Sequence, residues 1–194
     1  MAIVTLLTDS GESDHYVAAI KARILSVNPG LKIVDISHQI KPADIAHAAY
    51  ILRAVFRDFP KGTVHLVGVD SAGQRDDAAI ALQLEDHYFI GTDNGLFGLI
   101  SDKPHQFLAE LNTIQPIQST FPEKDIFAPA AAKLASGVGM ADIGNKARNR
   151  VGAYALRTVP GQPQQNRGVG RVAMPGQRQR AIKLTHHLPH IRSL

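Results

Sequence analysis

Short apolar runs of strand length alternate with helical stretches along the first 144 residues of this 194-residue chain. Residues 2–8 (AIVTLLT) form such a run, as expected for a strand buried on both faces of a sheet. A helix is predicted to follow over 13–27, with Ser13 as its N-cap. Further strands are predicted over 31–37, 63–69, 78–84 and 87–92, and further helices over 42–59, opened by Pro42, and over 124–136. This alternation predicts an α/β fold with a mostly parallel central sheet flanked by helices.

The balance of charge changes near residue 145. Residues 1–144 contain all 17 acidic residues and 11 of the 21 Lys and Arg residues, whereas 145–194 contain the other 10 basic residues and no acid. The second segment also has few large apolar residues, so it cannot easily build a core. We therefore divide the chain into an α/β domain, 1–144, and an atypical basic tail, 145–194. Because the tail lacks interleaved aromatic residues, only unspecific binding of nucleic acid is expected from it.

Composition also indicates where the protein works. The chain has no cysteine, which excludes disulfides and thiolate metal sites and is compatible with a reducing cytoplasm. No apolar run approaches the roughly 18–20 residues that cross a bilayer, and the first residues lack the pattern of a signal peptide. We therefore expect a cytoplasmic protein with no membrane partner.

Three acidic residues come directly after predicted strands. They are Asp9, Asp70 and Asp93, and Asn94 follows the last of them. Ligands of open α/β sheets bind outside the carboxyl ends of the strands, so these side chains can meet there. A carboxylate accepts hydrogen bonds from neighbouring hydroxyls and attracts an ammonium or sulfonium group. The same residues are also common in turns and helix caps, and three carboxylates can alternatively hold a cation for a metal-dependent phosphohydrolase.

Five blocks of sequence occur in the order and spacing of a known family. They are LLTDSGESDHYV, VDISHQIKPADIAHAAYIL, FPKGTVHLVGVD, FIGTDNGLFGLI and STFPEKDIFAPAAAKLASG. Through them the N-terminal domain resembles the S-adenosyl-L-methionine (SAM) hydroxide adenosyltransferases, relatives of the SAM-dependent chlorinase and fluorinase. The resemblance implies an α/β domain followed by a smaller C-terminal β-barrel, and a homotrimer that binds SAM between subunits. It also implies hydrolysis of SAM to adenosine and L-methionine by attack of water or hydroxide at C5′, with no metal and no cofactor.

The resemblance further implies roles for individual residues. Asp9 matches the carboxylate that holds the ribose hydroxyls, and Asp14 matches one near the methionine amino group. Asp70 and Arg75 correspond to two residues that handle the nucleophilic water, and they are the predicted catalytic pair. The remaining predicted substrate-binding residues are Asp93, Asn94, Thr120 and Phe121.

The chain departs from the family pattern within the segment 120–125 (TFPEKD). Pro122 stands where hydrolytic relatives have a catalytic His, and Glu123 stands where the fluorinase has a Ser that contacts halide. A carboxylate there would repel an anion, so halogenation is not expected. Because Pro has no titratable group, the alternative to a SAM hydrolase is a catalytically impaired protein that binds an adenosyl ligand.

The segment 145–194 departs from the family as well, because the aromatic-Gly-Asn motif of the C-terminal domain is not found in it. We interpret it as a truncated, degenerate or frame-shifted remnant of that β domain. A homotrimer is therefore expected only if the C-terminal segment is functional.

Overall fold

The computed structural model describes residues 2–71, 78–112 and 119–147. Within these ranges the strands are β1 Ile3–Thr8, β2 Lys32–Ser37, β3 Val64–Gly68, β4 Ala79–Leu84, β5 His87–Thr92, β6 Phe107–Leu111 and β7 Gly144–Lys146. The helices are α1 Tyr16–Val27, α2 Ile45–Val55, α3 Ala128–Ala135 and α4 Met140–Ile143, and a π-helical turn, Glu123–Phe127, leads into α3. The predicted α/β class is confirmed.

These strands form one mixed sheet in the order β2-β1-β3-β5-β4-β6-β7. The first four strands in this order run parallel, and the remaining neighbours pair antiparallel. The sheet is therefore less parallel than the sequence predicts, and the reason is local. Only Glu85 and Asp86 join β4 to β5, and both have positive φ, 51° and 64°, as a type I′ hairpin requires. A connection of this length cannot make the crossover that parallel neighbours need.

Helices cover both faces of the sheet and create two hydrophobic cores. On one face, α1 and α3 pack against the central strands around the buried side chains of Ile20 and Leu66. On the other face, α2 packs through Leu52 against a cluster that contains Val67. Leu66 and Val67 are consecutive in β3 and belong to opposite cores, because successive side chains of a strand point to opposite faces. Burial on both sides explains why β1 and β3 are apolar at most positions.

The structure begins α2 later than the sequence predicts. The helix starts at Ile45 instead of Pro42, and the side chain of Asp44 caps it by accepting a hydrogen bond from His47 N (3.0 Å). Ala43 has a φ of 58°, which lies outside the right-handed helical region. The backbone N–H of Ala43 donates a hydrogen bond to the side chain of Asp9.

Sequence patterns do not predict β6, α4 or β7. The segment Gly144–Lys146 contains no large apolar residue, and it is a strand because it pairs with β6. It therefore extends the sheet beyond the predicted boundary at residue 144. The rest of the predicted tail, 148–194, lies outside the described residues. None of the helices in the described ranges is long and apolar enough to cross a membrane.

Candidate functional site

The carboxyl ends of β1 and β3 meet at the centre of the sheet. The chain passes from β1 through α1 to β2 on one side, and from β2 through α2 to β3 on the other side of β1. The two helices lie on opposite faces, so this is the topological switch point at which open α/β sheets bind ligands. Thr8 is in register with Gly68, and the next residue, Asp9, donates its backbone N–H to the Gly68 carbonyl (3.1 Å).

The Asp9 carboxylate is held by backbone N–H groups of two separate loops. Its Oδ2 accepts hydrogen bonds from Ala43 N (2.9 Å) and from Asp70 N (3.1 Å). Both donors have left-handed backbone conformations, with φ of 58° and 51°, which cost a non-glycine residue about 1–2 kcal/mol. Strain of this kind is concentrated at functional sites. Because Oδ1 of Asp9 accepts no hydrogen bond from the described residues, it is available to a ligand.

A cleft of about 390 Å³ opens at this switch point. The volume falls in the range of small-molecule sites. Four of the predicted site residues line the cleft, namely Asp9, Asp70, Thr120 and Phe121. The structure therefore brings together residues from the loops after β1 and β3 and from the turn before α3. Their roles toward a ligand remain predictions.

Aromatic side chains form one wall of the cleft. The ring of Tyr16 meets the ring of Phe121 edge to face, with centroids 5.1 Å apart, and His15 stacks on Tyr16 at 4.7 Å. Ser119 fixes the loop that carries Phe121, because its hydroxyl accepts a hydrogen bond from Phe121 N (2.9 Å) and donates to Asp125 (2.6 Å). Such a wall suits a flat ring or a cation. Tyr16 was not among the predicted site residues. Its position at the start of α1, just after the loop 9–15 that contains Asp9, Glu12 and Asp14 (the acidic loop), could have indicated that it lies near the site.

Glu123 is a second cleft residue that was not among the predicted site residues, although the family resemblance places it at a position where the fluorinase contacts halide. Its side chain lies across the end of β3, where a Cβ on Gly68 would be only 2.5 Å from Glu123 Cγ. Burial raises the pKa of the Glu123 carboxyl, and the negative charge of Asp9 adds to the rise, although a hydrogen bond from its own backbone and the nearby Ser71 hydroxyl oppose it. Any side chain at position 68 would occupy the space that the Glu123 side chain fills. No sequence pattern indicates that packing.

The Ser71 hydroxyl lies at the same end of the cleft and is almost fully buried, with 3% of the residue exposed. It is close enough to Glu123 to affect the pKa of that carboxyl. It nevertheless makes no well-aligned hydrogen bond with any described residue. A buried hydroxyl without such a bond is costly, so this atom is a candidate contact for a ligand or a water molecule.

A chain of short polar contacts connects the cleft to the edge strand β2. Ser10 Oγ, which lines the cleft, lies 2.8 Å from Thr8 Oγ1, which lies 2.8 Å from Nδ1 of the buried His38. The other ring nitrogen of His38 lies 3.2 Å from Asp35 Oδ1, and Lys21 donates to the second oxygen of Asp35 (2.5 Å). These contacts place the Ser10 hydroxyl in a polar network that reaches β2.

Asp14 lies at the start of α1 and does not line the cleft. It is exposed, and its Oδ1 accepts a hydrogen bond from the backbone N–H of Tyr16 (3.1 Å). The predicted N-cap, Ser13, is wrong, because α1 begins at Tyr16 with His15 in the capping position. The structure therefore assigns Asp14 a local role at the helix start, and its proposed contact with a ligand stays a prediction.

Asp93 and Asn94 lie in the loop after β5, outside the lining of the cleft. Asn94 Nδ2 donates to the carbonyl of Val69 (2.8 Å), the residue before Asp70, so Asn94 supports the loop that carries a cleft residue. The backbone N–H of Asp93 donates to the Ala78 carbonyl (2.8 Å). The last predicted site residue, Arg75, lies outside the described residues.

Three carboxyl groups line the cleft, those of Asp9, Asp70 and Glu123, and the described lining residues include no Lys, Arg or His. The field of such a cleft favours a cation over an anion. Within the described ranges, no three His, Asp or Glu side chains are arranged so that they could hold a metal ion. The hypothesis of a metal-dependent phosphohydrolase therefore has no support from this part of the chain.

Comparisons with known proteins identify the relatives of this chain. The model of the SAM hydroxide adenosyltransferase N-terminal domain matches residues 4–144. A protein of Thermus thermophilus named (R)-S-adenosyl-L-methionine hydrolase is 38% identical over 150 residues, which cover 71% of this chain and 58% of that protein. A Methanocaldococcus jannaschii protein of the same name is 35% identical over 140 residues, which cover 68% of this chain and 52% of that protein.

Two solved structures are similar to this chain. The crystal structure of an uncharacterized conserved protein from Thermotoga maritima has a TM-score of 0.69 at 32% identity, and covers 76% of this chain and 58% of that one. The crystal structure of a conserved hypothetical protein from Thermus thermophilus has a TM-score of 0.65 at 35% identity, and covers 82% of this chain and 63% of that one. The chain thus spans little more than half the length of the curated relatives. By the match over 4–144 and these identities, it belongs to the SAM hydroxide adenosyltransferase family through that family's N-terminal domain.

Proposed function

We propose that the cleft binds S-adenosyl-L-methionine and hydrolyses it to adenosine and L-methionine by attack of water or hydroxide at C5′. The observation that carries this proposal is the Asp9 carboxylate, which two backbone N–H groups fix through one oxygen while the other remains available at the cleft. The relatives named (R)-S-adenosyl-L-methionine hydrolase support the choice of substrate.

The chemistry of the cleft suits each part of that substrate. An ionised carboxylate accepts hydrogen bonds from adjacent hydroxyls, so Asp9 is the proposed partner of the ribose diol. A sulfonium is a cation and a good leaving group, and the acidic lining formed by Asp9, Asp70 and Glu123 favours its binding. The protein must then align a water molecule behind C5′ and exclude competing solvent.

We assign the alignment of this water to Asp70 and Arg75. Asp70 lines the cleft and its backbone is bonded to Asp9, so the ribose site and the water site are rigidly connected. A carboxylate and a guanidinium can together hold a water molecule in one orientation. The proposed reaction uses neither a metal nor a cofactor.

The test is to incubate the full-length chain with SAM and to measure adenosine by chromatography, with and without EDTA. The wild type is expected to form adenosine equally in both conditions. Asp70→Ala and Arg75→Ala are expected to abolish it, whereas Glu110→Gln, an exposed carboxylate on β6, serves as the matched control. Adenosine formation that depends on an added divalent metal, or that persists in both Asp70→Ala and Arg75→Ala, would contradict the proposal.

One observation favours the alternative of an adenosyl-binding protein without catalysis. Pro122 lines the cleft, and it has no group that could exchange a proton. Under this alternative, calorimetry would detect adenosine or SAM binding that Asp9→Ala removes, while no SAM would be consumed.

We propose that the chain forms a homotrimer if residues 145–194 contribute a functional domain, as the family resemblance implies. We also propose that it is located in the cytoplasm, with which the absence of cysteine in the sequence is compatible. Light scattering of the full-length chain, with and without SAM, measures the mass of the assembly and thereby tests the trimer. Fractionation of cells that express the chain tests the location.

A further inference from the structure

We propose that the carboxylate of Glu123 accepts the proton of the attacking water in the cleft. This inference rests on the proposed function, since it assigns a proton acceptor to that reaction. It concerns Glu123, which was not among the predicted site residues.

The position of Glu123 is the first argument. It is the first residue of the π-helical turn Glu123–Phe127, and turns of this kind occur frequently at functional sites. Its side chain crosses the end of β3, where the missing Cβ of Gly68 makes room for it. The carboxyl thereby reaches the cleft beside Asp9 and Ser71.

The second argument is that most other cleft groups are poorly suited to the task, and the remaining carboxylate, Asp70, is proposed to orient the water. Hydroxyl groups cannot hold an additional proton near neutral pH, and the described lining residues include no His. One oxygen of Asp9 is occupied by two backbone N–H groups, and the other is proposed to bind ribose. Glu123 differs because burial and the charge of Asp9 raise its pKa, which makes it a stronger base when ionised.

The third argument is the Ser71 hydroxyl, which lies beside Glu123. Its hydroxyl is buried, lines the cleft and makes no well-aligned hydrogen bond with a described residue. A water molecule between the Ser71 hydroxyl and the Glu123 carboxylate would satisfy both groups. We identify this molecule with the nucleophile.

The step balances without a co-reactant. The bond between the water oxygen and C5′ forms while the bond between C5′ and sulfur breaks, and the electron pair of that bond goes to sulfur. The sulfonium becomes the neutral thioether of methionine, and the water proton passes to Glu123 and then to solvent. A negative carboxylate beside the water also stabilises the positive charge that develops on the attacking oxygen.

The decisive variant is Glu123→Gln, which retains the shape of the side chain and removes the base. We expect kcat to fall about 100-fold or more, with KM changed by less than about threefold. Glu12→Gln is the matched control, because Glu12 is an exposed carboxylate of the acidic loop that does not line the cleft. Equal adenosine binding by Glu123→Gln and wild type, measured by calorimetry, verifies that the variant is folded.

The pH profile separates a base from a purely structural group. In the wild type, kcat is expected to fall on acidification as Glu123 becomes protonated, and in Glu123→Gln this acidic limb should disappear. The titratable groups that share the cleft are Asp9, Asp70 and Tyr16, so Glu123→Asp, which retains a carboxylate, should restore the limb with lower activity.

The results distinguish failure of this inference from failure of the proposed function. If the wild type forms adenosine and Glu123→Gln forms it at a similar rate with an unchanged pH profile, only the role of Glu123 is wrong. If the wild type forms no adenosine, the proposed reaction fails, and the assignment of Glu123 fails with it.

Discussion

The backbone N–H of Asp70 donates a hydrogen bond of 3.1 Å to the carboxylate of Asp9, which lies 61 residues earlier in the chain. The bond joins the residue proposed to hold ribose to a residue proposed to orient water. It can form because β1 and β3 are neighbours in the sheet. Ala43 donates to the same oxygen, so the Asp9 carboxylate organises two loops and also lines the cleft. Stability and binding are therefore expected to change together at this residue.

Substitution of Asp9 tests that coupling. Asp9→Ala removes the acceptor of two backbone N–H groups, one exposed and one partly buried, and we expect the free energy of unfolding to fall by about 1–2 kcal/mol. Asp9→Asn retains one acceptor oxygen, so it should lose less stability but still bind adenosine at least about tenfold more weakly. Urea denaturation and calorimetry measure the two quantities. Full stability of Asp9→Ala would show that the two hydrogen bonds do not organise the loops.

The left-handed conformation of Ala43 leads to a prediction of opposite sign. At a φ of 58° glycine is not strained, so Ala43→Gly should increase the free energy of unfolding by about 0.5–1 kcal/mol. Ala46→Gly, on the exposed side of α2, is the matched control and should decrease it by about 1 kcal/mol. Equal losses in both variants would mean that Ala43 is not strained.

Gly68 provides a test of the position of Glu123 that leaves the carboxylate itself intact. In Gly68→Ala the new methyl group would lie 2.5 Å from Glu123 Cγ, so the side chain must move out of its place. We expect the turnover of SAM to fall about as far as in Glu123→Gln, with a loss of about 1–3 kcal/mol of stability.

The control for Gly68→Ala is Gly91→Ala in β5, where a Cβ would meet the Val67 carbonyl oxygen at 2.7 Å, away from Glu123. Both variants should be destabilised, but only Gly68→Ala should lose turnover per folded molecule, measured at a temperature below both melting transitions. Similar turnover in the two variants would argue against the assigned position of Glu123.

Because His65 and His87 are buried, we expect the free energy of unfolding to depend on pH. Burial, together with the nearby His87, lowers the pKa of His65 from 6.5 to about 3. Between these values the unfolded chain binds a proton that the folded protein does not bind, so the free energy of unfolding falls as the pH decreases. This residue should contribute a slope on the order of 1 kcal/mol per pH unit below about pH 6.

Urea denaturation between pH 7 and pH 4 measures this slope. In His65→Gln the slope should be smaller, while a part that His87 contributes remains, because burial lowers the pKa of His87 as well. The Nδ1 atom of His65 also lies 2.7 Å from the Thr5 hydroxyl. His65→Gln is therefore expected to lose stability at every pH. Only the slope, and not the absolute stability, tests the prediction, and an unchanged slope would refute it.

Local patterns predicted most of the fold correctly. The apolar run of β1 and the turn-bounded run of β3 indicate strands because both are buried on two faces. The three- and four-residue spacing of Ala48, Ala49 and Leu52 indicates α2 because these side chains form one face against the sheet. The strand β7 was not predicted, because its residues pair with β6 without burying a large apolar side chain of their own.

The candidate site was predicted only in part. The positions of Asp9 and Asp70 after strands indicated a shared edge of the sheet, and both line the cleft. Asp14 and Asn94 lie outside the lining, where they bond to the start of α1 and to the β3 loop. An acid after a strand can serve a ligand or the backbone, and the sequence does not distinguish the two.

By itself, the sequence determined most of the segments that become strands and helices, and that acids follow three of the strands, since these features depend on the burial pattern of neighbouring residues. Only the tertiary structure decided that β3 lies beside β1, that Asp70 and Ala43 turn their N–H groups toward Asp9, and that Glu123 crosses Gly68. These contacts join residues tens of positions apart, and their geometry depends on the packing of whole elements. No short stretch of sequence contains that information.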